Sequence, residues 1–234
     1  MTAQPKRLLP SFTKNTFVFL RELKDNNTRE WFASHKSRYE AEVLAPALEF
    51  LKNMQPLLPK LSSHLTGEPK RVGGALMRIY RDTRFSKDKT PYKTNLGIHF
   101  RHRLGSDVHA PGLYVHIEPD ACFLAAGMWM PPSEPLAAIR QSIHDDPAEW
   151  NKVISSKAFS EVYQLDGESL KTAPRGFDPK HPAIEHIRRK SFAGVARISD
   201  RSVLSADFCD FVLSSFKAAK PLMKFLCDAL GQPY

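Results

Sequence analysis

The amino-acid sequence predicts an α+β fold: an antiparallel sheet of four to five strands with helices packed chiefly on one face. Three observations carry this. Residues 75–82, 95–102, 112–118 and 121–129 alternate like strands; the segments on either side repeat their apolar residues at helical spacing; and the strand segments sort into apolar and polar rows. The chain therefore reads as a single domain over residues 1–234, with a helical N-terminal part (11–60), a sheet (75–130) and a helical C-terminal part (133–230). With 234 residues, of which 42% are hydrophobic, it is long enough to bury one large core.

Phe12, Phe17, Leu20 and Leu23 define a first amphipathic helix, with Ser11 or Thr13 as N-cap and Asn26-Asn27 as its break. Asn27 and Glu30 have capping-box spacing, which predicts a second helix through Trp31, Phe32, His35, Tyr39 and Val43. Trp31, His35 and Tyr39 share one face of it, an aromatic stripe expected to pack on the sheet rather than hold a ligand. Pro46 kinks that helix or starts the next, through Leu48, Leu51 and Met54.

In the sheet, Met77 and Ile79 form one apolar row, Leu96, Ile98 and Phe100 a second, and Leu113, Val115 and Ile117 a third. Their alternates are Arg78 and Tyr80; Asn95, Gly97, His99 and Arg101; and Tyr114, His116 and Glu118. Glu118-Pro119-Asp120-Ala121 is a tight turn with Pro at its second position, so 112–118 and 121–129 form a hairpin. If Ala125 and Gly127 fall on the polar side, their small side chains leave room for a pocket floor. Beyond Pro132 the pattern is helical: 133–143, then a helix opened by Asp146-Pro147. A turn-rich loop, 172–181, comes next, followed by a basic segment and a fifth strand over 191–198. Last come helices through Phe208, Phe211, Val212 and Phe216 and, past Pro221, through Leu222 to Leu230, expected to cover the apolar face of the sheet.

Charge is concentrated. Of the net +9, the segment from Arg78 to Arg103 carries +6, as eight cations against Asp82 and Asp88. Like charges crowded on a loop between two strands favour an anion as ligand. Arginine offers a two-pronged donor and lysine a point charge, beside the hydroxyls of Ser86, Thr90 and Thr94, a mixture suited to phosphate. Arg78, Tyr80, Arg84, Lys87, Lys89, Lys93, Arg175 and Lys190 are the candidate anion-binding residues. The alternative is a solvated loop that serves solubility.

The stretch R-I-Y-R-D-x-R-F-S-K-D-K-T-P-Y-K-T (78–94), with N-x-R-E-W-F-x-x-H-K-x-x-Y-E (27–40), Y-x-H-x-E-P (114–119) and P-R-G-F-D-P-x-H-P (174–182), resembles an uncharacterised microbial family, domain of unknown function 2461. The resemblance implies a single α+β domain and no settled activity.

Strand spacing puts His116 and Glu118 on one side, a pair suited to general-base work with an orienting carboxylate, and these are the candidate catalytic residues. Two other roles compete. Glu118 is also placed to balance Arg78 or a loop lysine, and His99 is the one obvious third ligand for a metal, too few for a metal centre to be expected. No P-loop, dinucleotide-binding glycine pattern, nucleophile elbow or zincin motif occurs. The expected partner is thus an anionic small molecule or nucleotide, bound in a basic pocket formed by the polar sheet face and the 83–94 loop. A hydrolase or transferase acting on such a ligand is the second reading and a nucleic-acid-binding module the third. Whether the chain is an enzyme, and which cofactor it would use, stays open at this stage. Cys122, Cys209 and Cys227 lack metal-type spacing and read as buried thiols in a reducing compartment. With no leader-like apolar core or membrane span, a cytoplasmic protein is expected.

Overall fold

The computed structural model describes residues 10–105 and 110–234; residues 1–9, where a leader's apolar core would stand, lie outside them. A six-stranded antiparallel sheet is built from β1 (Leu65–Thr66), β2 (Leu96–His102), β3 (Gly112–Ile117), β4 (Phe123–Met128), β5 (Gln164–Asp166) and β6 (Phe192–Arg197). Their order across the sheet is β1-β2-β3-β4-β6-β5. The central hairpin β3–β4 follows from its turn: the Ala121 N–H donates to the Glu118 carbonyl at 3.0 Å, and Asp120 takes φ 63°. Pro before a residue in the left-handed region is the signature of a type II turn.

Period-2 alternation gives the sheet two unlike faces. Leu96, Ile98, Phe100, Leu113, Val115, Ile117, Leu124, Ala126, Met128 and Phe192 are buried under the helices. The expected cover is in place: Phe216, from helix Phe208–Ala218, meets the Phe100 ring edge-on at 6.2 Å, and fully buried Trp150, from helix Pro147–Ser155, meets Phe192 at 5.8 Å. At the N-terminal end Phe12, Phe50 and Phe208 join the same core, with ring centroids 5.3 to 6.1 Å apart. No helix among the described residues is long and apolar enough to cross a membrane.

The structure departs from the sequence reading in several places. Residues 75–82 are not a regular strand. They touch their neighbours through isolated bridges, Leu76 with Ile98 and Tyr80 with Tyr92. Four residues separate Leu76 from Tyr80 while six separate Tyr92 from Ile98, so the ladder cannot stay in register. Leu76 and Ile79 are consequently the buried pair, and Met77 turns to the opposite face of the sheet. Secondly, Thr28, not Asn27, caps the second helix, accepting from the Trp31 N–H at 3.2 Å. Asn27 instead pairs with the Tyr92 backbone through both ends of its amide, at 2.9 and 3.1 Å, as a strand neighbour would. Thirdly, the second helix is divided into Arg29–Ser34, Lys36–Tyr39 and a π turn at Glu40–Leu44 ahead of Ala45–Met54, where Pro46 occupies the first turn. The aromatic stripe does pack, but on the first helix rather than the sheet: Trp31 and Tyr39 lie 5.6 and 5.9 Å from Phe19. His35 stacks on Trp31 at 4.1 Å, and its Nδ1 is 2.8 Å from the Trp31 carbonyl oxygen.

Candidate functional site

Opposite the helices, the register aligns two cross-strand rows: Gly97, His116, Phe123 and Arg197, and beside it His99, Tyr114, Ala125 and Val195. Gly112, Gly127 and Ala193 continue the floor as a third row, so small residues do lie under a cavity, of about 400 Å³. Its walls are Met77, His99, Tyr114, His116, Phe123 and Trp129, with Asp166 and Arg197 toward β5 and β6. Gly112 belongs here for a steric reason, because a Cβ at that position would collide with Nε2 of the His99 ring.

One wall is a chain of hydrogen bonds. The Tyr114 hydroxyl lies 3.1 Å from His116 Nδ1, and His116 Nε2 lies 3.1 Å from Glu118 Oε2. A carboxylate only accepts, so Nε2–H donates to Glu118, and Nδ1 is left to accept from the Tyr114 O–H and, at 3.4 Å, from the Asn95 amide. Phe123 stacks on the imidazole at 4.4 Å. Burial holds His116 below the usual histidine value, while its hydrogen bond to Glu118 and that residue's charge pull the other way. Burial, with the charge of Glu118 behind it, pushes the Tyr114 phenol up to about 12. The wall thus presents a neutral imidazole and a protonated phenol to the cavity. Glu118 makes its ion contact with His116, not with Arg78 or a loop lysine as the charge-balancing reading expects.

None of the eight anion-binding candidates lines this cavity, and the lysine or arginine among its lining residues is Arg197. Arg84 forks onto Asp82 at 3.0 and 2.7 Å. Lys89 donates to the Thr83 carbonyl and Lys190 to Glu168, each at 2.8 Å. Their neighbour Arg81 is bound to Asp88 and to the Thr90 hydroxyl. Lys87, Arg78 and Arg175 are exposed, and Tyr80, 60% exposed, leans on Tyr92 at 5.5 Å. Arg175 belongs to the 174–182 loop, which Phe177 and His181 pin to His144 of helix Ser133–Asp145, with ring centroids 5.6 and 4.6 Å away. Lys93 lines a separate cleft beside the loop. Among the described residues no group of three or more histidine, cysteine or acidic side chains is arranged to hold a metal ion.

Sequence reasoning passed over Tyr114, Trp129, Asp166 and Arg197 as site residues. Tyr114 was within reach of it, standing two residues before His116 on the same strand face. Arg197 needed the pairing of β6 with β4, a contact between distant parts of the chain.

No curated protein and no solved structure matches this chain. The family model of the conserved hypothetical proteins DUF2461, whose function is unknown, matches residues 15–225, and the chain belongs to that family.

Proposed function

We propose that the protein binds an anionic small molecule in the sheet-face cavity, its flat apolar body against the aromatic walls and its acidic group on Arg197. The observation that carries this is the combination of a small-residue floor, aromatic walls and an arginine with no ion pair among the described residues. A cavity of about 400 Å³ falls in the range of small-molecule sites, which are largely apolar with a few placed polar groups. A guanidinium fork takes carboxylate or phosphate alike, so aromatic carboxylates and nucleoside monophosphates are the first two classes to try.

A thermal-unfolding screen of both classes tests this. A ligand at a hundred times its Kd stabilises the folded state by about 2.7 kcal/mol, a readable shift. Arg197→Gln should abolish the shift while leaving the unliganded melting temperature in place. No shift across both panels, or a shift that survives Arg197→Gln, would overturn the proposal.

The Glu118–His116–Tyr114 chain favours a second reading, a hydrolase or transferase acting on the same ligand. Here Tyr114 is the proton donor that faces the cavity, His116 accepts at Nδ1 as a base, and Glu118 fixes the tautomer. With a ligand in hand, Tyr114→Phe and Glu118→Gln should each lower turnover by roughly a hundredfold or more while preserving affinity. Unchanged turnover in both variants sinks the catalytic reading and leaves binding intact.

A further inference from the structure

The cations of the 78–94 segment divide into two groups. Arg81, Arg84 and Lys89 have partners within the segment itself, in Asp88, Asp82 and the Thr83 carbonyl. Lys93 and Arg78 have no ion pair among the described residues, and Lys93 points into a cleft of about 390 Å³ that Lys24, Thr94 and Asn95 also line. Lys24, at the end of the first helix, likewise has no ion pair there.

Lys93 is held in place from behind. Its backbone N–H donates to the Ile79 carbonyl at 2.7 Å, which fixes it across from the residue that follows Arg78. The other polar groups of the cleft are already committed. Asn27 is spent on the Tyr92 backbone, Arg81 pairs with Asp88 while the Thr90 hydroxyl donates to that carboxylate, and the Asn95 amide faces His116. What is left to meet a ligand is the Lys93 ammonium, the Lys24 ammonium and the Thr94 hydroxyl.

We infer that this cleft is a second anion site, distinct from the sheet-face cavity, and that it takes a phosphate or phosphomonoester on Lys93 with Lys24 and the Thr94 hydroxyl. The physical reason is the missing counter-charge. Half-buried between the loop and β2, an ammonium loses hydration, and a second cation beside it adds repulsion; an anion relieves both. Burial first, and Arg78 second, keep Lys93 below the usual lysine value, in keeping with a charge that lacks its partner. The compact dianion of a phosphate monoester suits two ammonium groups and a hydroxyl better than a flat carboxylate does.

The test is a titration of the whole protein with inorganic phosphate against chloride at matched ionic strength, followed by thermal unfolding and calorimetry. Phosphate should raise the melting temperature saturably, and Lys93→Met, which keeps the apolar stem, should raise the half-saturating concentration at least tenfold. The same variant, without phosphate, should unfold at or above the wild-type temperature, because it removes an uncompensated charge. Lys93→Arg should keep most of the response, which separates a lost charge from a damaged fold. In an Arg197→Gln background, which removes the phosphate-binding group of the sheet-face cavity, Lys93→Met should still raise the half-saturating concentration at least tenfold, so the cleft and the sheet-face cavity stand or fall separately. Equal effects of phosphate and chloride, or an undiminished phosphate response in Lys93→Met, would overturn the inference.

Discussion

Gly97 lies under the Tyr114 hydroxyl, and replacing it by alanine offers a direct measure of the Tyr114–His116–Glu118 wall. A Cβ at Gly97 would stand 2.5 Å from the Tyr114 oxygen, 3.1 Å from the Met77 sulfur and 3.1 Å from Tyr114 Cε2. Real Cβ atoms essentially never approach within 3.0 Å of another heavy atom, so the hydroxyl must retreat by about half an ångström. That motion takes its 3.1 Å contact with His116 Nδ1 to about 3.6 Å, where a side-chain hydrogen bond no longer exists. Losing it costs about 1 kcal/mol, repacking Tyr114 and Met77 about 1 to 2 more, and restricting the glycine of the unfolded chain returns about 0.5 to 1. The net is a loss of about 1 to 2.5 kcal/mol, or roughly 2 to 10 °C in melting temperature for a chain of this size. Tyr114→Phe alone should cost about 1 kcal/mol, since the ring stays. The double variant tests the cause. With the hydroxyl gone the new methyl meets the ring edge and the flexible Met77 sulfur, each at 3.1 Å, so Gly97→Ala/Tyr114→Phe should be little worse than Tyr114→Phe, a coupling of about 1 kcal/mol or more in urea unfolding. Additive losses, or a Gly97→Ala protein as stable as wild type, would refute the geometry of this wall.

Two further outcomes follow from buried titratable groups. Burial depresses both His116 and His186, so as pH falls through 6.5 the unfolded chain takes up protons before the folded one does. Stability should therefore fall from pH 6.5 downward toward the depressed values, and His116→Gln should flatten part of that slope in unfolding curves recorded at several pH values; an unchanged slope would show that His116 is not held neutral. Burial raises the thiols of Cys122 and Cys227 to about 12 and that of Cys209 to about 11. All three should resist a thiol-selective reagent at neutral pH in the native protein and react in denaturant, and rapid native labelling of any one would contradict its burial.

Much of the fold could be read from local pattern because local chemistry decides it. Pro119 and Asp120 dictate the central hairpin, and Asp146 before Pro147 caps a helix, accepting from the Glu149 N–H at 2.9 Å. β1 and β5 escaped because two or three residues are too few for alternation to register; they exist through their partners, Leu65 opposite His102 and Leu165 opposite Gly194. The 75–82 segment misled for the converse reason. Its alternation is genuine, but strand pairing needs a continuous register, and the spacing of its bridges to Tyr92 and Ile98 does not supply one. In the candidate site, the small residues beneath the cavity and the pairing of His116 with Glu118 were visible as period-2 spacing within single strands. The far wall of the cavity was not, since Val195 and Arg197 reach it only through the pairing of β4 with β6, whereas Trp129 continues the alternation of Phe123, Ala125 and Gly127.

The basic loop shows why a count of charges is a weak guide to where an anion binds. Summed along the sequence, residues 78–103 form one strongly positive field. In the fold, short-range geometry neutralises part of it: Asp82 accepts from the arginine two residues on, and Asp88, through its contact with Arg81 and its turn with Thr90, closes the loop on itself. Both carboxyls are held down at about 2 by these hydrogen bonds, so the pairs persist across the neutral range. The available charge is what this pairing leaves over, and half-buried Lys93 is part of that remainder. If the cleft holds an anion as proposed, net charge sets how strongly it is drawn toward the segment and the missing internal partner sets where it stops.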